Sequence, residues 1–163
     1  MARITVAAAL FGASLVGLTL PLAGAQSSTL LRSATPESLT PLLRAAGYTV
    51  TLDRSGKSPF LKVENKDEGT DFYIDFLNCN ASSCDGAYAN VLYDLKDLKS
   101  APDLKKINAW NQEYFSQAYL DDNGKPHLIS PYSFVGGFTG ASFMNWIAAF
   151  YGELNDFYEL LNK

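Results

Sequence analysis

Histidine occurs once in the 163-residue chain, at His127, and that scarcity narrows the chemistry at once. A general base needs a nucleophile or carboxylate within hydrogen-bond reach. His127 instead follows a turn on an alternating stretch, where it reads as a half-exposed sheet residue. No G-x-S-x-G elbow is present to supply a serine nucleophile. Basic side chains are also in short supply, 13 against 17 acidic, and the densest mid-chain pair is Lys105-Lys106. That excludes a phosphate-backbone surface, so no nucleic-acid partner is expected. The segment Gly136-Gly137-Phe138-Thr139-Gly140 carries neither the dinucleotide fingerprint nor the lysine of a P-loop, and reads as a strand-to-helix turn.

Only one long apolar run exists, "ITVAAALFGASLVGLTL" after Met1-Ala2-Arg3, and it stops short of the roughly 18 residues of a membrane span. Ala23-Gly24-Ala25 has the small-x-small form of a cleavage site. Residues 1–25 are therefore expected to be a signal peptide, with Gln26 as the mature N-terminus and no lipid anchor, since no cysteine follows the cut. Residues 26–163 form one expected domain with no transmembrane segment, periplasmic or secreted, and losing Arg3 takes its charge from −4 to −5.

Cysteine occurs twice, at Cys79 and Cys84 around "NASS". Two thiols are too few for a four-ligand structural zinc site, and their spacing is wider than the two-residue redox motif. In an oxidising compartment the pair reads as a disulfide closing a hairpin tip, against two free thiols or half of a metal site.

What the chain does contain is clear periodicity. Thr35-Pro36-Glu37-Ser38 opens a short helix with Leu39, Leu42 and Leu43 on its apolar face and Gly47 as its stop. The preceding "QSSTLLRS" reads as a loose start. "YTVTLD", "PFLKVEN", "TDFYIDFLNC" and "AYANVLYDL" alternate with period two, separated by "RSGKS", "KDEG" and the cysteine loop, which predicts an antiparallel meander. In the third of these, Phe72, Ile74 and Phe76 share one face while Tyr73, Asp75 and Leu77 share the other. Asp71 and Asp75 read as solvated.

"SAPDLKKINAWNQEYF" predicts a second helix, capped by Ser100 with Pro102 and Asp103 in its first turn. "AYLDDNGKPHLISPY" predicts a hairpin turning at Asp122-Asn123-Gly124. The Asp-Asp-Asn-Gly run resembles a calcium-loop fragment, but Lys125 and Pro126 interrupt it, so a plain turn is expected. Asp67-Glu68 sits in another turn with no spacing that makes an acid/base pair. A last helix follows Thr139, with Phe143, Trp146, Ile147, Phe150, Leu154, Phe157, Tyr158 and Leu161 in the three-four rhythm.

Aromatic residues are abundant: ten Phe, nine Tyr and two Trp. Most belong to a core. Trp110, Tyr114, Tyr119, Tyr132, Phe134 and Phe138 exceed what one small core obviously needs, and they read either as a candidate interaction surface or as buried packing and edge protection.

The ordered set Trp110-Asn111, Ala118 to Asp121, the Asp122–Gly124 turn, Gly136-Gly137 and Thr139 before a long helix resembles the YbjN-like domain family, over roughly Ser33 to Leu161. The upstream "GYTV" and "FYIDFLNC" stretches fit the same layout, and exported members often carry a cysteine pair between central strands. Phe138 and Ser142 depart from the family pattern, which more often has a smaller aliphatic residue and an acidic residue there. The resemblance implies an α+β fold, an antiparallel sheet of about five strands with three helices, similar to type III secretion chaperones. It also implies a sensory-transduction or stress-related regulator with no catalytic residues to carry over.

The resulting expectation is a non-enzymatic exported domain, regulatory or chaperone-like, without metal or cofactor. It would bind an unidentified protein or peptide, or a second copy of itself, through an apolar and aromatic groove. The alternative is a small-ligand-binding or enzymatic domain using a pocket between the sheet and the C-terminal helix, which convergence of Asp75, Asp121 and His127 would favour. A structural role in the envelope is a third reading.

Overall fold

The computed structural model describes residues 29–65 and 70–163. The expected signal peptide, the "KDEG" turn and the Asp67-Glu68 pair lie outside those residues. Among the described residues there are three α-helices, a six-stranded antiparallel sheet and a two-stranded one. The elements run β1 (Leu30–Leu31), α1 (Pro36–Ala45), β2 (Thr49–Asp53), β3 (Phe60–Asn65), β4 (Thr70–Leu77), β5 (Gly86–Leu92), α2 (Leu104–Glu113), β6 (Gln117–Leu120), β7 (Pro126–Ser133), β8 (Phe138–Thr139) and α3 (Gly140–Asn162). The large sheet has the order β2-β3-β4-β5-β7-β6, a four-strand meander extended by a hairpin inserted through β7.

Period-two alternation builds this sheet. Leu61 and Val63, then Phe72, Ile74 and Phe76, then Ala87, Ala89 and Val91 all turn to one side and are buried there. That side meets α3, whose buried residues Phe143, Ile147, Phe150, Leu154, Phe157 and Leu161 recur at three- and four-residue intervals. Phe72 and Phe150 meet edge-to-face at 5.6 Å. Buried polar tips find partners across the same interface: Trp146 Nε1–H donates to Ser130 Oγ at 3.0 Å, and the Tyr93 hydroxyl to the Leu154 carbonyl at 3.0 Å.

Local chemistry sets the helix ends. Thr35 caps α1 and Thr139 caps α3, each by a reciprocal box in which the residue three on is a serine, Ser38 and Ser142 respectively. Ser142, a departure from the family pattern, thus closes the box with its own hydroxyl. For α2 the cap is Asp103, not Ser100: the Asp103 carboxylate accepts from Lys105 N–H at 2.9 Å, leaving Pro102 before the helix.

Two further expectations are corrected. The large sheet has six strands rather than about five, because β6 and β7 both join it. Part of the loose start is β1, paired antiparallel with β8, so that Leu30 faces Thr139 and Leu31 faces Phe138. The hairpin turns at Asp122-Asn123-Gly124 as expected, and Asp121 organises it: its Oδ1 accepts from the N–H groups of Asn123 and Lys125, both at 2.8 Å, with Gly124 alone of the turn residues at positive φ (+75°).

Candidate functional site

Alternation that buries one face of the sheet necessarily presents the other. An antiparallel sheet with one solvated face normally turns polar side chains outward. Here the outward positions include Phe60, Tyr73, Leu77, Tyr88, Leu92, Ile129, Pro131 and Tyr119. Exposures of 36% for Tyr73, 41% for Leu77, 44% for Tyr119 and 47% for Leu92 show that none of these is a core residue. Strand register arranges them in rows across the sheet. One row runs Phe60, Asp75, Tyr88, Pro131; the next runs Lys62, Tyr73, Asn90, Ile129, Gln117. α1 and α3 pack on the opposite face, and α2 packs on β6 and α3.

Asp75 lies near the middle of this face and is not the solvated residue expected. It is half-buried, its Oδ2 accepts from Asn90 Nδ2, and burial raises its carboxyl above the usual range despite that bond. The Tyr88 phenol is pushed up by burial first, then by the charge of Asp75 and by Tyr119. Phe60 and Tyr73 meet edge-to-face at 5.8 Å beside it. The one lysine on these rows, Lys62, is held by Asp71 at 2.8 Å and Glu64 at 2.6 Å, and those two bonds raise its ammonium.

His127 stacks on Tyr119 with ring centroids 4.6 Å apart and planes within 9°. Its Nε2 is 3.8 Å from Asp121 Oδ2. Asp121 is held below the usual carboxylate range chiefly by the Lys125 amide. Asp75 does not join this pair. It is two strands away, and four residues along β7 separate Pro131, in its row, from His127, so the offset is about 10 Å across by about 13 Å along the strands. The three groups thus make no common concave site.

Each edge strand of the large sheet is bonded at one residue by a side chain from a helix. On β6, the Asn111 amide reads the backbone of Ala118 twice: Oδ1 accepts from its N–H at 2.7 Å and Nδ2 donates to its carbonyl at 3.0 Å. On β2, Arg44 Nη2 donates to the Val50 carbonyl at 2.9 Å. Strand edges left bare are templates for another chain. These two are blunted from within. Next to Asn111, the Trp110 indole N–H donates to the Ser116 carbonyl at 3.1 Å, and Glu153 on α3 accepts from the N–H groups of Ser116 (2.9 Å) and Phe115 (3.3 Å).

The aromatic surface expected from the sequence divides accordingly. Trp110, Phe134 and Phe138 are buried, at 2%, 2% and 5% exposure, so they leave that surface and enter the core. The reason is their side of the fold: Phe134 stacks on Phe76, Phe138 packs on Phe143, and Trp110 meets Phe157 at 4.9 Å. Tyr132 belongs with them, half-buried against Trp146, its hydroxyl 2.8 Å from Ser142 Oγ. Tyr114 is stacked on Trp110 at 3.7 Å on the helical side. Of the six, only Tyr119 lies on the open face. Sequence reasoning missed Tyr88 and Leu92 as surface residues, although the signal was present: apolar side chains at the outward positions of alternating strands.

Cys79 and Cys84 are joined by a disulfide. Cys84 is buried and its N–H donates to the Ala34 carbonyl at 2.8 Å, so the linked loop is tied to the start of α1. Gly136 and Gly137 both have positive φ, and the space beside Gly137 is filled by Leu30 and the Leu31 carbonyl at 3.0 Å, which makes the glycine pair the passage over which β1 pairs. Among the described residues, no group of three or more His, Cys, Asp or Glu is placed to hold a metal ion, and no helix is long and apolar enough to cross a membrane.

Comparison with known families matches residues 35–163 to a family described as "Putative bacterial sensory transduction regulator". The match takes in the whole six-stranded sheet and all three helices. Comparison with curated proteins returns no match.

Proposed function

The chain belongs to the YbjN family, and from that premise we propose that it is a non-catalytic regulatory domain that binds a protein or peptide on the open face of its six-stranded sheet. The observation that carries this reading is the pairing of an uncovered apolar and aromatic face with two sheet edges already capped by Arg44 and Asn111. Partner binding by strand addition is disfavoured by those caps, and burial of the face is favoured by its side chains. At about 25 cal/mol per Å², covering aromatic and leucine side chains of this kind supplies the association energy that a polar face does not. The space between the sheet and α3 is filled by Phe72, Phe143 and Phe150, which argues against the alternative ligand pocket there.

The proposal includes export. Residues 1–25 act as a cleaved signal peptide, residues 26–163 form the mature domain, and the protein works in the periplasm or outside the cell. The Cys79–Cys84 disulfide supports that compartment. It also includes a chaperone-like manner of action, for which the family resemblance and the α+β layout are the support.

The test is affinity capture from an envelope and secreted fraction with the wild-type protein, the double variant Tyr73→Ser/Leu77→Ser, and Leu104→Ser as a control on the exposed side of α2. The reading predicts a saturable partner retained by wild type and by Leu104→Ser and lost by the double variant. Equal retention by all three proteins overturns it.

A further inference from the structure

We propose that the open face carries a two-part recognition site, Asp75 for a cationic side chain and an adjoining trough floored by Gly86 for an aliphatic one, so that the partner presents an arginine or lysine about two extended residues from an apolar residue. The inference rests on the reading of the open face as the binding surface and adds the chemistry of the partner.

The cationic half follows from the surroundings of Asp75. Its carboxylate is half-buried, and the partner it has, Asn90, is neutral. A partly desolvated carboxylate beside a neutral amide gains from an incoming cation, which restores the interactions water no longer supplies. The aromatic rings of Phe60, Tyr73 and Tyr88 adjoin it by register, and aromatic faces attract guanidinium and ammonium groups. The chain's own nearby cation does not fill the role, because Lys62 is already shared between Asp71 and Glu64.

The apolar half lies one row further along the same strands. Leu77 is two residues from Asp75 on β4, about 6.7 Å away along the strand. Its neighbours across the sheet are Gly86 and then Ser133. A Cβ on Gly86 would lie 2.8 Å from the Tyr132 carbonyl oxygen, so the close approach of β5 to β7 requires glycine there. The result is a bare floor with Leu77, Pro131 and Val135 as its apolar walls, in a trough of about 600 Å³ that Asn78, Asp85 and Ser133 also line. Val135 is 72% exposed at its rim.

Charge decides which occupant fits. The outward positions bear Asp53, Glu64, Asp71 and Asp75 against Lys62. A second copy docked face to face would bring these carboxylates together, which like-charge repulsion penalises. A basic and aliphatic segment is complementary in both charge and shape.

The test titrates the disulfide-intact protein with the peptide acetyl-Ala-Arg-Thr-Leu-Ala-amide, its reverse-order counterpart, and the same two peptides with citrulline in place of arginine, followed by two-dimensional amide NMR. The expected result is saturable shifts confined to residues 73–77, 86–90 and 129–133 for at least one arginine peptide. Affinity should fall at least tenfold with citrulline, which keeps the shape and loses the charge, and at least tenfold in Asp75→Asn. The absence of saturable shifts on this face at millimolar arginine peptide overturns the proposal, as does equal binding by Asp75→Asn or by the citrulline peptides. Capture of the natural partner separates the two levels. A partner lost by Tyr73→Ser/Leu77→Ser but retained by Asp75→Asn leaves the face as the binding surface and removes the cationic site. A partner retained by both variants removes both.

Discussion

Asn111 provides the sharpest test of how the edge of the sheet is closed. Its side-chain amide holds the N–H and the carbonyl of Ala118 together, at 2.7 and 3.0 Å, standing where a seventh strand would otherwise pair. A neutral hydrogen bond of this kind contributes about 0.5–1.5 kcal/mol net, so Asn111→Ala should destabilise the fold by about 1–3 kcal/mol. Asn111→Asp is more discriminating. The carboxylate keeps an acceptor for the Ala118 N–H but turns a second oxygen toward the Ala118 carbonyl, where a donor is needed. At neutral pH it should cost at least as much as the alanine variant. Below about pH 4 the introduced carboxyl is protonated and can donate to that carbonyl, so the deficit should shrink. Equilibrium urea unfolding at both pH values, followed by the fluorescence of the adjacent Trp110, measures these differences. An alanine variant within about 0.3 kcal/mol of wild type, or an aspartate variant whose deficit ignores pH, would refute the edge-cap account.

Three more perturbations address neighbouring parts of the argument. Glu153→Ala removes the acceptor for the Phe115 and Ser116 N–H groups; charge-assisted bonds of this type predict a loss of about 2 kcal/mol, read by thermal or urea unfolding, and an unchanged midpoint would contradict it. Gly86→Ala sets a methyl against the Tyr132 carbonyl and should cost about 1–3 kcal/mol while weakening the arginine peptides, whereas a neutral effect would show that β5 and β7 can separate freely. Asp75→Asn should stabilise the protein at neutral pH even as it removes peptide binding. Burial raises the carboxyl of Asp75 in the fold, so its favourable contribution is complete below the unfolded value of about 3.9 and is lost as pH rises through the folded one. The melting temperature of the variant should therefore exceed that of wild type at pH 7, with the gap closing toward about pH 3; a lower melting temperature at pH 7 would reverse the reasoning.

Legibility in the sequence followed the range of the interactions involved. The α3 stripe and the Phe72–Ile74–Phe76 alternation depend on neighbours within one or two turns or pleats, and both read directly from spacing. The pairing of Leu30-Leu31 with Phe138-Thr139 joins segments more than 100 residues apart through two residues each, too short for any period to register. Alternation places Asp75 on the outward face, but its environment comes from cross-strand register, which brings Asn90 from 15 residues away. Trp110 illustrates the same limit from the other direction. A tryptophan at the edge of a helical stripe can face solvent or core, and its burial is decided by Phe157 and the Ser116 carbonyl, both set by tertiary packing. The cap of α2 is Asp103 rather than Ser100, a choice that local propensity does not make because both residues can cap.

The open face as the surface of recognition is tested most directly by hydroxyl-radical footprinting of the free protein and of its captured complex, with side-chain oxidation read by mass spectrometry. Tyr73, Leu77, Tyr88 and Leu92 should become protected on binding, while Leu104, Phe115 and Tyr158 on the helical side keep their reactivity. Protection of Leu104, Phe115 and Tyr158 with Tyr73 and Leu77 unchanged would contradict the account.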